Sequence, residues 1–270
     1  MRRLALLLSA AVLAACTTVP TDPRQRELPL DVAGETLPAH WTLPAADPAA
    51  LVLLQHGFSR RCVHLRGTAA ALRDQGLAVL CVDASMAAGN PPLAAALAAT
   101  LAGLQRLPDG RALPPAIVVG GHSAGAAFAV QVGAGLLRLA PERLAGALLL
   151  DPVATRGFDA ALQAVSDQGR RPVLALLAPP HACNAQQNAA PALRGLLPAA
   201  GFVGLVAGAG ATHIDAEGAD SDAVARWACG TPLPAQTARL RAQAAAWALD
   251  IATGRRPAPP VASSDAVPID

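Results

Sequence analysis

Four apolar residues, Ala116-Ile117-Val118-Val119, run straight into Gly120-Gly121-His122-Ser123-Ala124-Gly125, and small residues beginning Ala126-Ala127-Phe128-Ala129-Val130 follow. The apolar run reads as a buried strand and the small-residue stretch as a closely packed helix. Between them the chain must turn sharply, with a serine at the corner. Positions two before and two after that serine are crowded, and both are glycine, which carries no Cβ to clash.

The corner has a chemical reading. A serine hydroxyl is a poor nucleophile until it stands clear of the backbone beside a base. A strand-turn-helix corner of the Gly-x-Ser-x-Gly type is the nucleophile elbow of serine hydrolases. The helix behind it offers free N–H groups and a positive dipole end, which favour a developing oxyanion.

The rest of the chain fits such a corner. Short apolar runs at Leu51–Leu54, Ala78–Val82, Ala116–Val119, Gly146–Leu150, Val173–Leu177 and Phe202–Ala207 alternate with helical stretches at Leu65–Gln75, Leu93–Leu107, Ala124–Leu139 and Ala189–Leu197. Continuous apolarity predicts strands covered on both faces, and the alternation predicts βαβ units around a mainly parallel central sheet flanked by helices. Glu35–Leu43 is expected in an antiparallel edge hairpin, and Ala235–Thr253 as a packing helix carrying Trp247. No insertion is long enough for a large lid; Ala154 to Arg171 has room for one short covering helix.

Composition excludes several chemistries. All 21 basic residues are arginine, so Schiff-base chemistry, pyridoxal phosphate anchoring and a Walker A loop have no lysine to use. Tyrosine is absent as well. A formal net charge of +2 gives no argument for nucleic acid. Neither a metal-binding motif nor a cofactor fingerprint is present, so the reaction is expected to need no metal and no cofactor.

In parallel sheets, ligand chemistry gathers at the carboxyl ends of strands, so each catalytic candidate should follow an apolar run. Ser123 follows 116–119, Asp151 ends 146–150, and His213 follows 202–207 through the loop Gly208-Ala209-Gly210-Ala211-Thr212. Asp215 competes with Asp151 as the acid, and His181 with His213 as the base. His122 is assigned to the elbow turn, pointing away from the hydroxyl. His56, which precedes Gly57, is expected to shape the oxyanion loop, and His40 and His64 are read as surface or packing residues.

The order Ser, Asp, His is that of the α/β-hydrolase fold, and the chain resembles an α/β-hydrolase across nearly all of its folded part. Within that superfamily Gly-His-Ser-Ala-Gly, Leu-Asp-Pro-Val and His-Ile-Asp look most like chlorophyllases, polyester hydrolases and dienelactone hydrolases. One departure stands out: many α/β-hydrolases place the acid after the next strand, yet Leu177-Ala178-Pro179-Pro180-His181 carries no carboxylate. The resemblance implies a triad of Ser123, Asp151 and His213 cleaving a small-molecule or lipid-like ester through an acyl-enzyme. It also assigns the oxyanion hole to the backbone amides of Phe58, in Gln55-His56-Gly57-Phe58, and of Ala124. Phe58, Val153 and Phe158 are expected to line the pocket. An acyltransferase, thioesterase or amidase would use the same residues, and a non-catalytic envelope-binding lipoprotein is the alternative of another kind.

The amino terminus resembles a bacterial lipoprotein signal: Arg2 and Arg3, an apolar segment from Leu4 to Val12, then Leu13-Ala14-Ala15-Cys16 as a lipobox with Cys16 lipidated. Thr17 after that cysteine resembles proteins sorted to the outer membrane. The expected organisation is a signal peptide over 1–15, a tether over 16–28, an α/β-hydrolase domain over 29–254 and a flexible tail over 255–270, anchored in the bacterial envelope and facing the periplasm. Export makes disulfides available to Cys62, Cys81, Cys183 and Cys229, with three possible pairings. Placement favours Cys183 with Cys229, which would tie the carboxyl-terminal helical region to the rim of the site. Cys81 lies within an apolar run and also suits a small buried thiol, so the pairing of Cys62 with Cys81 stays open.

Overall fold

The computed structural model describes residues 24–196, 204–208, 210–257 and 266–268. The signal segment and Cys16 lie outside the described residues. The elements, in chain order, are β1 (Gln25–Val32), β2 (Glu35–Thr42), β3 (Leu51–Gln55), α1 (Arg66–Asp74), β4 (Ala78–Val82), α2 (Pro91–Gly103), β5 (Ile117–His122), α3 (Ala124–Leu139), β6 (Leu144–Leu150), α4 (Phe158–Ser166), β7 (Val173–Leu177), α5 (Ala190–Arg194), β8 (Gly204–Gly208), α6 (Ala223–Cys229), α7 (Pro234–Ala252) and β9 (Ala266–Pro268).

The nine strands among the described residues join one sheet in the order β1-β2-β4-β3-β5-β6-β7-β8-β9. β4, β3, β5, β6, β7 and β8 run parallel, while β1, β2 and β9 are antiparallel edges. This is the α/β-hydrolase fold. The edges differ in pattern as their surroundings demand. β1 and β2 bury Leu30, Val32, Leu37, Ala39 and Trp41 on one face, whereas every residue of β3, β4, β5 and β7 is buried. The first described strand starts at Gln25, within the segment expected as a tether, and β9 lies within the segment expected as a tail.

Alternation along the central strands divides the core. Leu51, Leu53, Ile117, Val119, Ala147 and Leu149 face Phe128, Val132, Leu97 and Leu162 of α3, α2 and α4. Val52, Leu54, Val118, Leu148 and Leu150 face Leu72 of α1 and Trp247 and Ile251 of α7. Strands sandwiched this way are built on continuous apolar runs such as Leu51–Leu54 and Ile117–Val119, a pattern legible in the sequence. Chain from β3 passes through α1 to β4 on one side, then through α2 to β5 on the other. The switch of direction opens a crevice at the carboxyl ends of β3 and β5.

Candidate active site

Ser123 stands between β5 and α3 with φ 58° and ψ −130°, a conformation L-residues rarely adopt. Neighbouring backbone holds it there. The Ser123 N–H donates to the Leu150 carbonyl at 3.1 Å, and the Ser123 carbonyl accepts from Val153 N–H at 3.1 Å and Ala126 N–H at 3.0 Å. The glycines answer to space: a Cβ on Gly121 would sit 2.5 Å from the Gly125 carbonyl carbon, and one on Gly125 would run into the carbonyls of Gln55 and His56.

The hydroxyl donates to His213 Nε2 at 3.0 Å, and His213 Nδ1 donates to Asp151 Oδ2 at 2.6 Å. A carboxylate only accepts, so this contact fixes the tautomer that leaves Nε2 free as a base. All three side chains are buried. Asp151 follows β6 with φ 40°, and its N–H donates to Leu176 on β7 at 2.6 Å. Its Oδ1 accepts from the Ala178 N–H at 3.0 Å, and Asn184 Nδ2 lies 3.1 Å from Oδ2 and 3.4 Å from Oδ1.

The competitors have other work. Asp215 closes its own turn, accepting from the Thr212 N–H at 2.9 Å and the Thr212 hydroxyl at 2.8 Å. Burial raises its pKa, and those two bonds oppose the rise. His181 caps the short turn at 182–184, where its Nδ1 accepts from the Cys183 N–H at 3.2 Å. His64 Nδ1 accepts from the Arg61 N–H, and His40 pairs with Asp83 at 3.1 Å.

His122 does more than fill the elbow. Its Nε2 donates to the His213 carbonyl at 2.7 Å, and the two imidazoles stand 4.7 Å apart between centroids. Its Nδ1 is buried without a hydrogen-bond partner, 3.8 Å from Glu217 Oε1. Burial, then the neighbouring His213, push its pKa down to about 4, so it is neutral at neutral pH. Glu217 is itself buried and gripped by Arg60, whose Nε and Nη2 donate at 2.8 and 2.5 Å while Nη1 reaches Asp222 at 2.6 Å. Arg60 thereby clasps the loop after β3 to the segment carrying His213. No sequence motif signals this clasp.

The loop after β3 packs on the serine. A Cβ on Gly57 would lie 2.8 Å from Ser123 Cβ and 3.3 Å from Ser123 Oγ. Ala124 opens α3, and its N–H is among those a helix cannot satisfy internally. His56 Nδ1 donates to the Gly57 carbonyl at 2.9 Å. Burial lowers the His56 pKa, while the Asp83 carboxylate opposes that fall. Burial would raise the pKa of Asp83, but bonds from His40 and the Cys62 N–H outweigh it and hold it well below the carboxylate range. The Phe58 ring is 63 % exposed and borders an open groove with Ser59, Ser85 and Met86. Phe158 corrects the expectation for the pocket: it is wholly buried in the core beside α3, because α4 turns its first residue inward. Val153 is half-buried beside the elbow.

Two disulfides brace the rim. Cys183 is bonded to Cys229, and Cys62 to Cys81. The second shows that Cys81, though buried in β4, reaches the loop after β3. It also leaves the cluster His40, Cys62 and Asp83 without a free thiolate for a metal.

No protein-family model and no curated protein sequence matches this chain. Solved structures do. The chain is similar to a dienelactone hydrolase from Anabaena variabilis ATCC 29413, with 20 % identity, a TM-score of 0.58, and 83 % of this chain and 96 % of that one covered. It is similar to the esterase domain of a Rhodothermus marinus protein, with 20 % identity, a TM-score of 0.54, and 83 % and 97 % covered. A 2,6-dihydroxy-pseudo-oxynicotine hydrolase aligns with 16 % identity, a TM-score of 0.59, and 88 % and 70 % covered.

Proposed function

We propose that this protein hydrolyses carboxylic esters through an acyl-enzyme on Ser123. The observation that carries this reading is the unbroken chain of hydrogen bonds from the Ser123 hydroxyl through His213 to Asp151. The fold shared with a dienelactone hydrolase and an esterase domain supports it.

His213 Nε2 takes the proton as Ser123 Oγ bonds to the ester carbonyl carbon, and the carbonyl electrons move to oxygen. The Phe58 and Ala124 N–H groups receive that oxyanion; each such donor is worth roughly 3–4 kcal/mol. Collapse breaks the bond to the alkoxide, which leaves with the proton from His213. Water repeats the sequence on the acyl-enzyme. Asp151 holds the imidazole and balances its positive form. A neutral His122 beside it adds no opposing charge as that form develops. The lipobox-like segment ending in Cys16 supports a lipid-anchored envelope location.

The test uses the purified protein with a fluorophosphonate probe and short nitrophenyl esters. The wild type should be labelled and should turn over, and Ser123→Ala should lose both while keeping its circular dichroism spectrum. Undiminished turnover in Ser123→Ala would end the proposal.

A further inference from the structure

Asp151 follows β6, and the loop after the neighbouring strand β7 carries no acid of its own before the turn at 182–184. That loop instead supplies Asn184, which is completely buried. Its amide orientation is over-determined. Asn184 Oδ1 accepts from the His181 N–H at 2.8 Å and the Gln187 N–H at 3.1 Å, so the amino group must face the other way. There it donates to Asp151 Oδ2 at 3.1 Å and to the Pro179 carbonyl at 2.9 Å. Every donor and acceptor of the side chain is used. Cys183, the preceding residue, is bonded to Cys229 at the end of α6, which pins the turn from outside.

We propose that Asn184 is a positioning residue for His213: its amino group fixes the rotamer of the Asp151 carboxylate, and the carboxylate in turn fixes the imidazole. The proposal rests on the Ser123 acyl-transfer reading for its kinetic consequence but not for its structural one. Asp151 Oδ2 receives His213 Nδ1 and Asn184 Nδ2 together, while Oδ1 is held by Ala178 N–H. Without the Asn184 donor, a buried carboxylate oxygen loses one of two partners, and rotation about the carboxyl group is no longer opposed on that side.

The discriminating variant is Asn184→Asp. It keeps an oxygen for the His181 and Gln187 N–H groups but replaces the donor facing Asp151 and the Pro179 carbonyl with an oxygen. With a purely structural Asn184, the change would lower stability through the lost Pro179 contact while leaving kcat and the His213 proton signal unmoved. Two readouts apply to the full-length protein. One is kcat and KM on a nitrophenyl ester. The other is the low-field proton NMR signal of His213 Nδ1–H, which the short contact to a carboxylate deshields and which needs no turnover. Expected are a fall in kcat of roughly 10- to 100-fold, KM within about twofold, and a shifted or lost low-field signal. Wild-type kcat with an unmoved signal would overturn the proposal. Should Asn184→Asp not fold, the signal in Asn184→Ala decides in the same way. A wild type that shows the signal but neither labels nor turns over would remove the acyl-transfer reading alone; the NMR comparison would still judge Asn184.

Discussion

His213 Nδ1 lies 2.6 Å from Asp151 Oδ2 although the two residues leave the sheet at β8 and β6, with β7 between them. The segment carrying His213 therefore reaches Asp151 past β7, and the loop after β7 also touches Asp151, through Ala178 and Asn184. A carboxylate separated from the imidazole by one intervening strand is thus reached by bridging, not by adjacency.

Exchanging the two carboxylates separates their roles. Asp151→Asn should lower kcat by about 10⁴-fold with little change in KM, because the imidazole loses the partner that fixes its tautomer. Asp215→Asn should keep kcat within about tenfold and lower stability by about 1 kcal/mol, because it weakens the Thr212 turn. Steady-state kinetics with thermal unfolding checks both, and the opposite ranking would move the acid to Asp215.

Gly57 has no room for a methyl group. Gly57→Ala places a carbon 2.8 Å from Ser123 Cβ, so the loop after β3 must retreat from the serine. We expect kcat/KM to fall at least about 100-fold, as for loss of an oxyanion donor, with the melting temperature lowered by only a few degrees. Near-wild-type turnover in this variant would show that the loop does not need its close seat on the serine.

The disulfides should differ in kind. In the chain-entropy model, Cys62–Cys81, with 19 residues of separation, contributes about 3 kcal/mol, and Cys183–Cys229, with 46, about 4 kcal/mol. Alanine at both cysteines of either pair should lower the denaturation midpoint accordingly. Loss of Cys183–Cys229 should in addition lower kcat at temperatures where the protein remains folded, since that bond pins the turn holding Asn184. Equal kcat in the two double variants would separate the outer disulfide from the site.

The parts of this molecule that could be read from sequence are those governed by local pattern. β4, β7 and α3 match the predicted runs to the residue because apolar strands and a small-residue helix announce themselves. The positions of Ser123, Asp151 and His213 on one rim follow from the same pattern, as each stands after an apolar run. α6 carries no such pattern: Ala223–Cys229 is short, and Val224 and Trp227 point to solvent, so it lacks an inward apolar stripe. Asn184 and the Arg60–Glu217 clasp are equally silent in the sequence. Asn184 is 33 residues from Asp151 and Arg60 is 157 from Glu217; only the sheet order brings either pair together, and buried polar partners leave no periodic trace.

His122 should make folding stability depend on pH. Its pKa falls from 6.5 to about 4 in the folded protein, chiefly through burial. Between those values the unfolded chain binds a proton that the folded chain does not, so stability rises with pH through that window and is lost as pH falls. From pH 7.5 to pH 5 this one group accounts for about 2 kcal/mol. His122→Gln can still donate to the His213 carbonyl but cannot titrate. Its stability should therefore decline less than that of the wild type over this range, whatever its absolute value. Urea unfolding of both proteins at pH 7.5 and pH 5 measures the difference. Parallel losses would mean that a charged His122 is tolerated in the fold, and that the orphaned Nδ1 facing Glu217 has taken up a proton to pair with it.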